Sequence, residues 1–274
     1  ARPPAHAAGP GRSRPLMPRG GPLTSLTSRA RGLRRITART AATAVCGGRR
    51  PQLLYFNVPG RVAGLRVMMF KIYGKDGWDD LRVEFEDWAR VKPTLPLKFV
   101  PLLTLPDGRA VHQADAMVRW AAKKAELYPT DPDEALFVDE MISTVYEALS
   151  KAPRPSSIVT KEMLPDLWAE FTEGPMKATF DYIQERIAGP FIRGADLTAA
   201  DLTLYMLVNY FANGEISFVP TTYVDGWPGI RAHYAAVREH PLVVAYDAAY
   251  ASGSDAIDEV REFEKVDTSA MGRS

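Results

Sequence analysis

The sequence predicts an α/β domain followed by an all-α bundle, carried behind a basic arm. Three observations predict it. Between residues 52 and 127 short strand-like runs alternate with helical ones, whereas beyond a linker at 128–133 the apolar residues recur almost wholly with helical spacing. Residues 1 to 50 hold 11 arginines and no aspartate, glutamate or lysine, while 51 to 274 carry 23 basic and 33 acidic side chains. The overall charge of +1 therefore hides an arm at +11 and a body at −10, and the two parts should have different partners.

Gln52-Leu-Leu-Tyr-Phe-Asn57 reads as a short strand that ends at the Pro59-Gly60 turn signal. Val62, Leu65, Met68, Met69 and Ile72 then form one apolar helical face, which Gly74 and Gly77 close. Leu81 to Phe85 alternates like a half-buried strand. Phe99 to Leu105 is a further strand, and the Pro106-Asp107-Gly108 turn leads into Arg109–His112. Ala114 to Leu127 reads as the helix that covers the sheet. The order βαβ, ββ, α is that of a thioredoxin-like domain. After the proline- and aspartate-rich linker, Leu136, Val138, Met141, Ile142, Val145 and Leu149 mark one helix, and Phe180, Ile183 and Ile187 lie within a later one. Thr198-Ala-Ala-Asp201 has the form of a capping box with Leu197 placed as a staple, and it starts the most apolar helix, 202–211. Such a box on its own means no more than good capping. Helices over 230–237 and 241–250 complete the bundle, and 251–274 reads as a charged tail. The domains are thus 1–50, 51–128, 129–250 and 251–274.

The arm is rich in Arg, Ser, Thr, Ala, Pro and Gly, and such a composition cannot bury a core. Arg-rich, hydroxylated, acid-poor leaders are organellar addresses, so a mitochondrial transit peptide is expected, with a plastid as the alternative. A basic disordered tail, or a retained arm that anchors the body to a large organellar assembly, is the competing reading. No apolar run approaches the ~20 residues of a spanning helix. Cys46, the single cysteine, lies in the arm, which excludes an intramolecular disulfide, a cysteine nucleophile in the body and a cysteine-based zinc site there. His6, His112, His233 and His240 lack metal-ligand spacing and read as surface or core residues, so no metal is expected. The acidic body offers no basic groove with interleaved aromatics, so nucleic acid is not expected to be its partner.

Tyr55-Phe-Asn-Val-Pro-Gly-Arg61, Val83-Glu-Phe-Glu-Asp-Trp88-Ala-Arg-Val-Lys92-Pro-Thr-Leu-Pro96, Val100-Pro101, His112-Gln113 and Gly194-Ala-Asp-Leu-Thr-Ala-Ala-Asp201 resemble, in order and spacing, the sigma-class glutathione transferases, the class that includes glutathione-dependent prostaglandin D synthase. The resemblance covers about residues 52 to 250. It implies a glutathione transferase fold, a homodimer, and glutathione as co-substrate for conjugation or isomerisation of an apolar electrophile. It further implies that the phenol of Tyr55 acts on the glutathione sulfur, and that Arg61 stands near it. Phe56 is placed beside the tripeptide, Trp88 and Lys92 at its glycine end, and Val100 before a cis-Pro101 at its cysteinyl part. Gln113 falls to the γ-glutamyl end. Without its neighbours, Tyr55 reads as an ordinary strand aromatic.

Several positions depart from the family pattern. Ala114 stands where the family has Ser, Asp115 where it has an apolar residue, and Lys98 and Phe99 where it has smaller and polar ones. Tyr146-Glu147 lies where the class commonly carries paired acids, so one acidic partner of the γ-glutamyl amine is expected to be missing. The thiol end of the site is intact and the anchoring end is altered. Two functions follow: a transferase with a partly degraded glutathione site, or a transferase fold reused as a non-catalytic assembly subunit of an organellar complex, held by the arm.

Overall fold

The computed structural model describes residues 34–35, 50–214 and 216–250; most of the arm and the 251–274 tail lie outside them. The sheet consists of β1 (Arg34–Arg35), β2 (Gln52–Phe56), β3 (Asp79–Val83), β4 (Leu102–Thr104) and β5 (Ala110–Val111), in the order β1-β3-β2-β4-β5. Strands β2 and β3 run parallel, with Leu54 opposite Leu81, and are joined through helix α1 (Ala63–Tyr73). A parallel pair requires such a crossover. Strand β4 returns antiparallel beside β2 and pairs with β5 through the Pro106–Gly108 turn. The thioredoxin-like order of elements is thus observed. Two strands are shorter than their sequence patterns. The β3 ladder stops at Val83 because Phe85–Asp87 turns into a 3₁₀ segment, and β4 starts only at Leu102, after the cis peptide bond between Val100 and Pro101.

One segment of the arm joins the fold. Arg34 and Arg35 pair in parallel with Leu81 and Arg82 and so extend the sheet beyond β3. The sequence pattern gave no sign of it, since two arginines have no strand periodicity.

Helix α1 buries Leu65, Met68 and Met69 on the sheet, and α3 (Ala114–Lys124) packs beside it through Met117, Val118 and Ala121. The short helix α2 (Trp88–Val91) closes the opposite face, where Leu54, Leu81, Val83, Trp88 and Val91 form a second apolar cluster. The helical half begins with α4 (Pro132–Lys151), whose N-cap carboxylate Asp131 accepts from the backbone N–H groups of Asp133 and Glu134 at 3.0 Å. Pro132 sits at the first helical position, where its missing N–H costs nothing.

Helices α5 (Leu164–Phe171) and α6 (Lys177–Gln184) are joined by a π-turn over Thr172–Met176. Pro175 lies inside that turn and has no N–H for the α-helical ladder, which accounts for the wider winding. Periodicity located α6 but not α5 or the π-turn.

Helix α7 (Ala199–Ala212) is the centre of the second half, and nearly every residue from Ala199 to Phe211 is buried. Its capping box is formed as expected. The Asp201 carboxylate, fully buried, accepts from Thr198 N and Oγ1 at 2.7 Å and from Ile192 N at 2.7 Å, and it lies 2.9 Å from His233 Nε2. A buried carboxylate is tolerable only when satisfied in this way. His233 is thus a core histidine on α8 (Pro228–Glu239), and α9 (Pro241–Tyr250) ends the described chain. The two halves meet where α1 crosses α7. A Cβ on Gly64 would lie 2.6 Å from the Leu202 carbonyl oxygen, so only glycine permits this approach.

Candidate active site

Strand β2 ends by presenting Tyr55 toward the turn that follows it. The ring is buried, and its hydroxyl oxygen accepts the backbone N–H of Arg61 at 3.2 Å. Gly60, with φ +40°, lies directly against it, and a Cβ there would fall 2.8 Å from both Cε1 and Oη of Tyr55. A side chain at position 60 would press on the phenol. Glycine is required twice over, for space and for backbone conformation.

The turn is fixed from beneath by Arg66. This α1 side chain is buried, donates to the carbonyls of Val58 (2.6 Å) and Phe56 (3.3 Å), and pairs with Asp80 at 3.0 Å. Asp80 also holds Arg82 at 2.7 Å. Burial lowers the Arg66 guanidinium from its ordinary value, and the Asp80 carboxylate opposes that shift. Helical periodicity treated Arg66 as an ordinary α1 position. An arginine among apolar neighbours was the available signal, yet the sequence does not reveal its partner.

Arg61 connects the halves. It donates from Nη2 to the Leu149 carbonyl at 2.9 Å, and its own carbonyl accepts the Tyr146 hydroxyl at 2.9 Å. Tyr146, where the resemblance led us to expect an acid, thus secures the turn below Tyr55. Its phenol is pushed far above its ordinary value, first by burial and then by the nearby Tyr55. Glu147 points away and pairs with exposed Lys151 at 2.6 Å.

The remaining expected residues divide by role. Phe56 stacks on Phe85 at 4.7 Å and meets the edge of Trp88 at 5.0 Å. Trp88 is a member of the second apolar cluster, so Phe56 and Trp88 are engaged in packing. Lys92 is half-buried at the start of the single turn Lys92–Thr94, one turn along from Trp88. Val100 is half-buried before the cis-Pro101 that the resemblance implied. Gln113 is exposed with φ +76° at the N-cap of α3, a conformation sparsely populated by non-glycine residues and enriched where a site demands it.

Two altered positions behave differently from what their chemistry first indicates. Asp115 is not left to face an incoming anion alone, because Arg119 binds it at 3.0 Å and extends to Asp139 at 2.7 Å and the Ser143 hydroxyl at 2.6 Å on α4. The charge is spent on a clasp between the halves. Lys98 takes φ +58° and turns its ammonium to the Pro93 carbonyl at 2.5 Å, while Phe99 packs on the His112 ring at 4.8 Å. Ala114 is buried and brings no hydroxyl.

Residues 156–249 match the model of the glutathione S-transferase C-terminal domain. A glutathione S-transferase of Anopheles gambiae is 37% identical over 206 residues, 72% of this chain and 95% of its own length. The chain belongs to the glutathione S-transferase family. Among relatives of that family, rat hematopoietic prostaglandin D synthase is 29% identical over 150 residues, covering 55% of this chain and 67% of its own. The solved prostaglandin synthase D of Nilaparvata lugens superposes with a TM-score of 0.62 at 25% identity, over 72% of this chain and 96% of that one. A Sulfitobacter glutathione transferase homologue solved with bound glutathione shares the fold at 22% identity and a TM-score of 0.59, over 72% of this chain and 97% of its own. The glutathione transferase fold expected from the sequence is therefore the observed one. No helix among the described residues is long and apolar enough to cross a membrane.

Proposed function

We propose that this glutathione S-transferase-family protein binds glutathione and that Tyr55 activates its thiol for attack on an electrophile. The observation that carries the reading is the Tyr55 hydroxyl, held by the Arg61 backbone N–H and shielded from any side chain by Gly60. A phenol that donates to a thiolate stabilises the charged form and draws the thiol down from its ordinary ~8.5 toward neutrality. The Arg61 N–H donates to the hydroxyl oxygen and fixes its position beside the turn. In the same reading, Lys92 pairs with the glycine carboxylate, the Val100 backbone beside Pro101 binds the cysteinyl part, and Gln113 at the start of α3 receives the γ-glutamyl end. Trp88 stands with Lys92 at the glycine end, and Phe56 lies beside the tripeptide. The Anopheles gambiae relative bears the name of a glutathione S-transferase, which supports the co-substrate.

Ala114 removes a hydroxyl that would meet the γ-glutamyl carboxylate, so binding is weaker than a serine at this position would give, by roughly ten- to a hundredfold. The test is calorimetric titration of the full chain with glutathione, beside Tyr55→Phe. Binding in both, with a raised thiol pKa in the variant, is the expected result; a bound thiol pKa equal in both would remove Tyr55 from the chemistry.

A second reading, a non-catalytic assembly subunit, is favoured by Ala114 and by the pairing of Arg34–Arg35 with β3, which ties the arm to the body. The arm is proposed to address the protein to the mitochondrion or, alternatively, the plastid. The functional unit is proposed to be a homodimer.

A further inference from the structure

Resting on the transferase reading, we infer that the second substrate of this site is an electrophile that carries a carboxylate or similar anion, received by Arg154 together with Arg61. Both guanidiniums donate from Nη2 to the same acceptor, the Leu149 carbonyl, each at 2.9 Å. The two nitrogens therefore lie no further apart than twice that distance. Leu149 is in the last turn of α4, where unsatisfied carbonyls attract cations. That single oxygen cannot neutralise two full charges, and neither arginine has a carboxylate partner among the described residues.

The contrast with the rest of the body gives this weight. Arg66 and Arg82 share Asp80, Arg119 holds Asp115 and Asp139, and Arg193 holds Glu134. In a body with ten more acids than bases, a pair of adjacent arginines without an acid is a local inversion of charge. Arg61 is mostly desolvated, and burial followed by the Arg154 charge lowers its guanidinium from the ordinary value. An anion placed between the two would relieve both effects. The location is right for a second substrate: the Arg61 backbone N–H holds the Tyr55 phenol, and Arg154 sits between Pro153 and Pro155, exposed on the helical half. A planar guanidinium suits bidentate recognition of a carboxylate.

The test uses the full chain, glutathione, and a chlorodinitrobenzoate beside its methyl ester. In either case the sulfur bonds to the ring carbon that bears chlorine, the carbon–chlorine bond breaks, chloride leaves with the bonding pair, and the thiol proton passes to solvent. Each kcat/KM is divided by the uncatalysed rate constant of the same compound. The benzoate is expected to be preferred, and Arg154→Gln to reduce that preference about tenfold, with Arg154→Lys retaining part of it. Binding of the chlorine-free dinitrobenzoate and its methyl ester is measured by calorimetry in the same proteins. Turnover without an Arg154-dependent preference would overturn the proposal and leave the transferase reading standing. An Arg154-dependent preference in binding without turnover of either compound would uphold the anion site and remove the transferase reading. If Arg154→Gln raises the KM for glutathione instead, with the preference unchanged, the pair serves the tripeptide and the proposal falls. Absence of preference in both turnover and binding also overturns it.

Discussion

The two ends of the proposed glutathione cleft are built by different means. At the Tyr55 end, contacts from both halves of the chain converge on one turn: Arg66 from below, Tyr146 on the Arg61 carbonyl, and Arg61 on the Leu149 carbonyl. At the Gln113 end a strained backbone leads into a helix whose first residues are a buried alanine and an aspartate committed to Arg119. The first end is held by polar contacts from both halves; at the second, the aspartate beside Gln113 is engaged through Arg119 in the joint between the halves. On the proposed function, the difference teaches that thiol activation and peptide anchoring rest on different partners and can be altered separately.

The comparison is broken most severely at the phenol. Tyr55→Phe is expected to lower kcat/KM for conjugation at neutral pH by roughly ten- to a hundredfold, through loss of a hydrogen bond to a charged group. The inflection of the pH–rate profile should move upward toward the free thiol value, which steady-state rates across pH will show. An intermediate effect is expected for Gly60→Ala, whose Cβ must displace Tyr55 and adopt φ +40°. It should cost about 1–3 kcal/mol of stability in denaturant unfolding and lower the rate without matching the Tyr55→Phe pH profile.

Ala114→Ser sharpens the comparison from the other end. It is expected to tighten glutathione by roughly ten- to a hundredfold by calorimetry and to leave the thiol pKa of the bound tripeptide unmoved, since the hydroxyl is added at the proposed anchoring end only. The smallest effect is expected for Ser143→Ala, which takes one hydroxyl from the Arg119 clasp. A loss of about 1 kcal/mol or less in unfolding free energy is predicted, with little change in the rate constants.

The sequence made the elements legible where burial imposes a period. Gln52–Phe56, the apolar face of 63–73, the box at Thr198–Asp201 and the helix from Pro241 to Tyr250 all follow from local pattern. The sequence pattern carries strand character to Phe85, two residues past the β3 ladder, and starts it at Phe99, three residues before β4, because only pairing partners decide where a strand begins and stops. The π-turn escaped because Pro175 reads as a helix end, whereas the chain resumes a helix immediately after it.

Among the candidate site residues, the closeness of Arg61 to Tyr55 and the cis Val100–Pro101 bond were legible from the ordered motifs. The contacts that hold them were not. Arg61 and Leu149 are 88 positions apart, as Tyr146 and Arg61 are 85, and no local pattern encodes such a meeting. Asp115 shows the same limit. A lone carboxylate at a helix start is adverse to an anionic ligand, but Arg119, one turn further on, holds it.

The most direct test is the thiol pKa of glutathione bound to the full chain, followed by thiolate absorbance across pH in the wild type and in Tyr55→Phe. The account predicts a value drawn below the ordinary ~8.5 in the wild type and restored toward it in the variant. No saturable binding of glutathione, or a bound thiol that titrates at its ordinary value in both proteins, would contradict it.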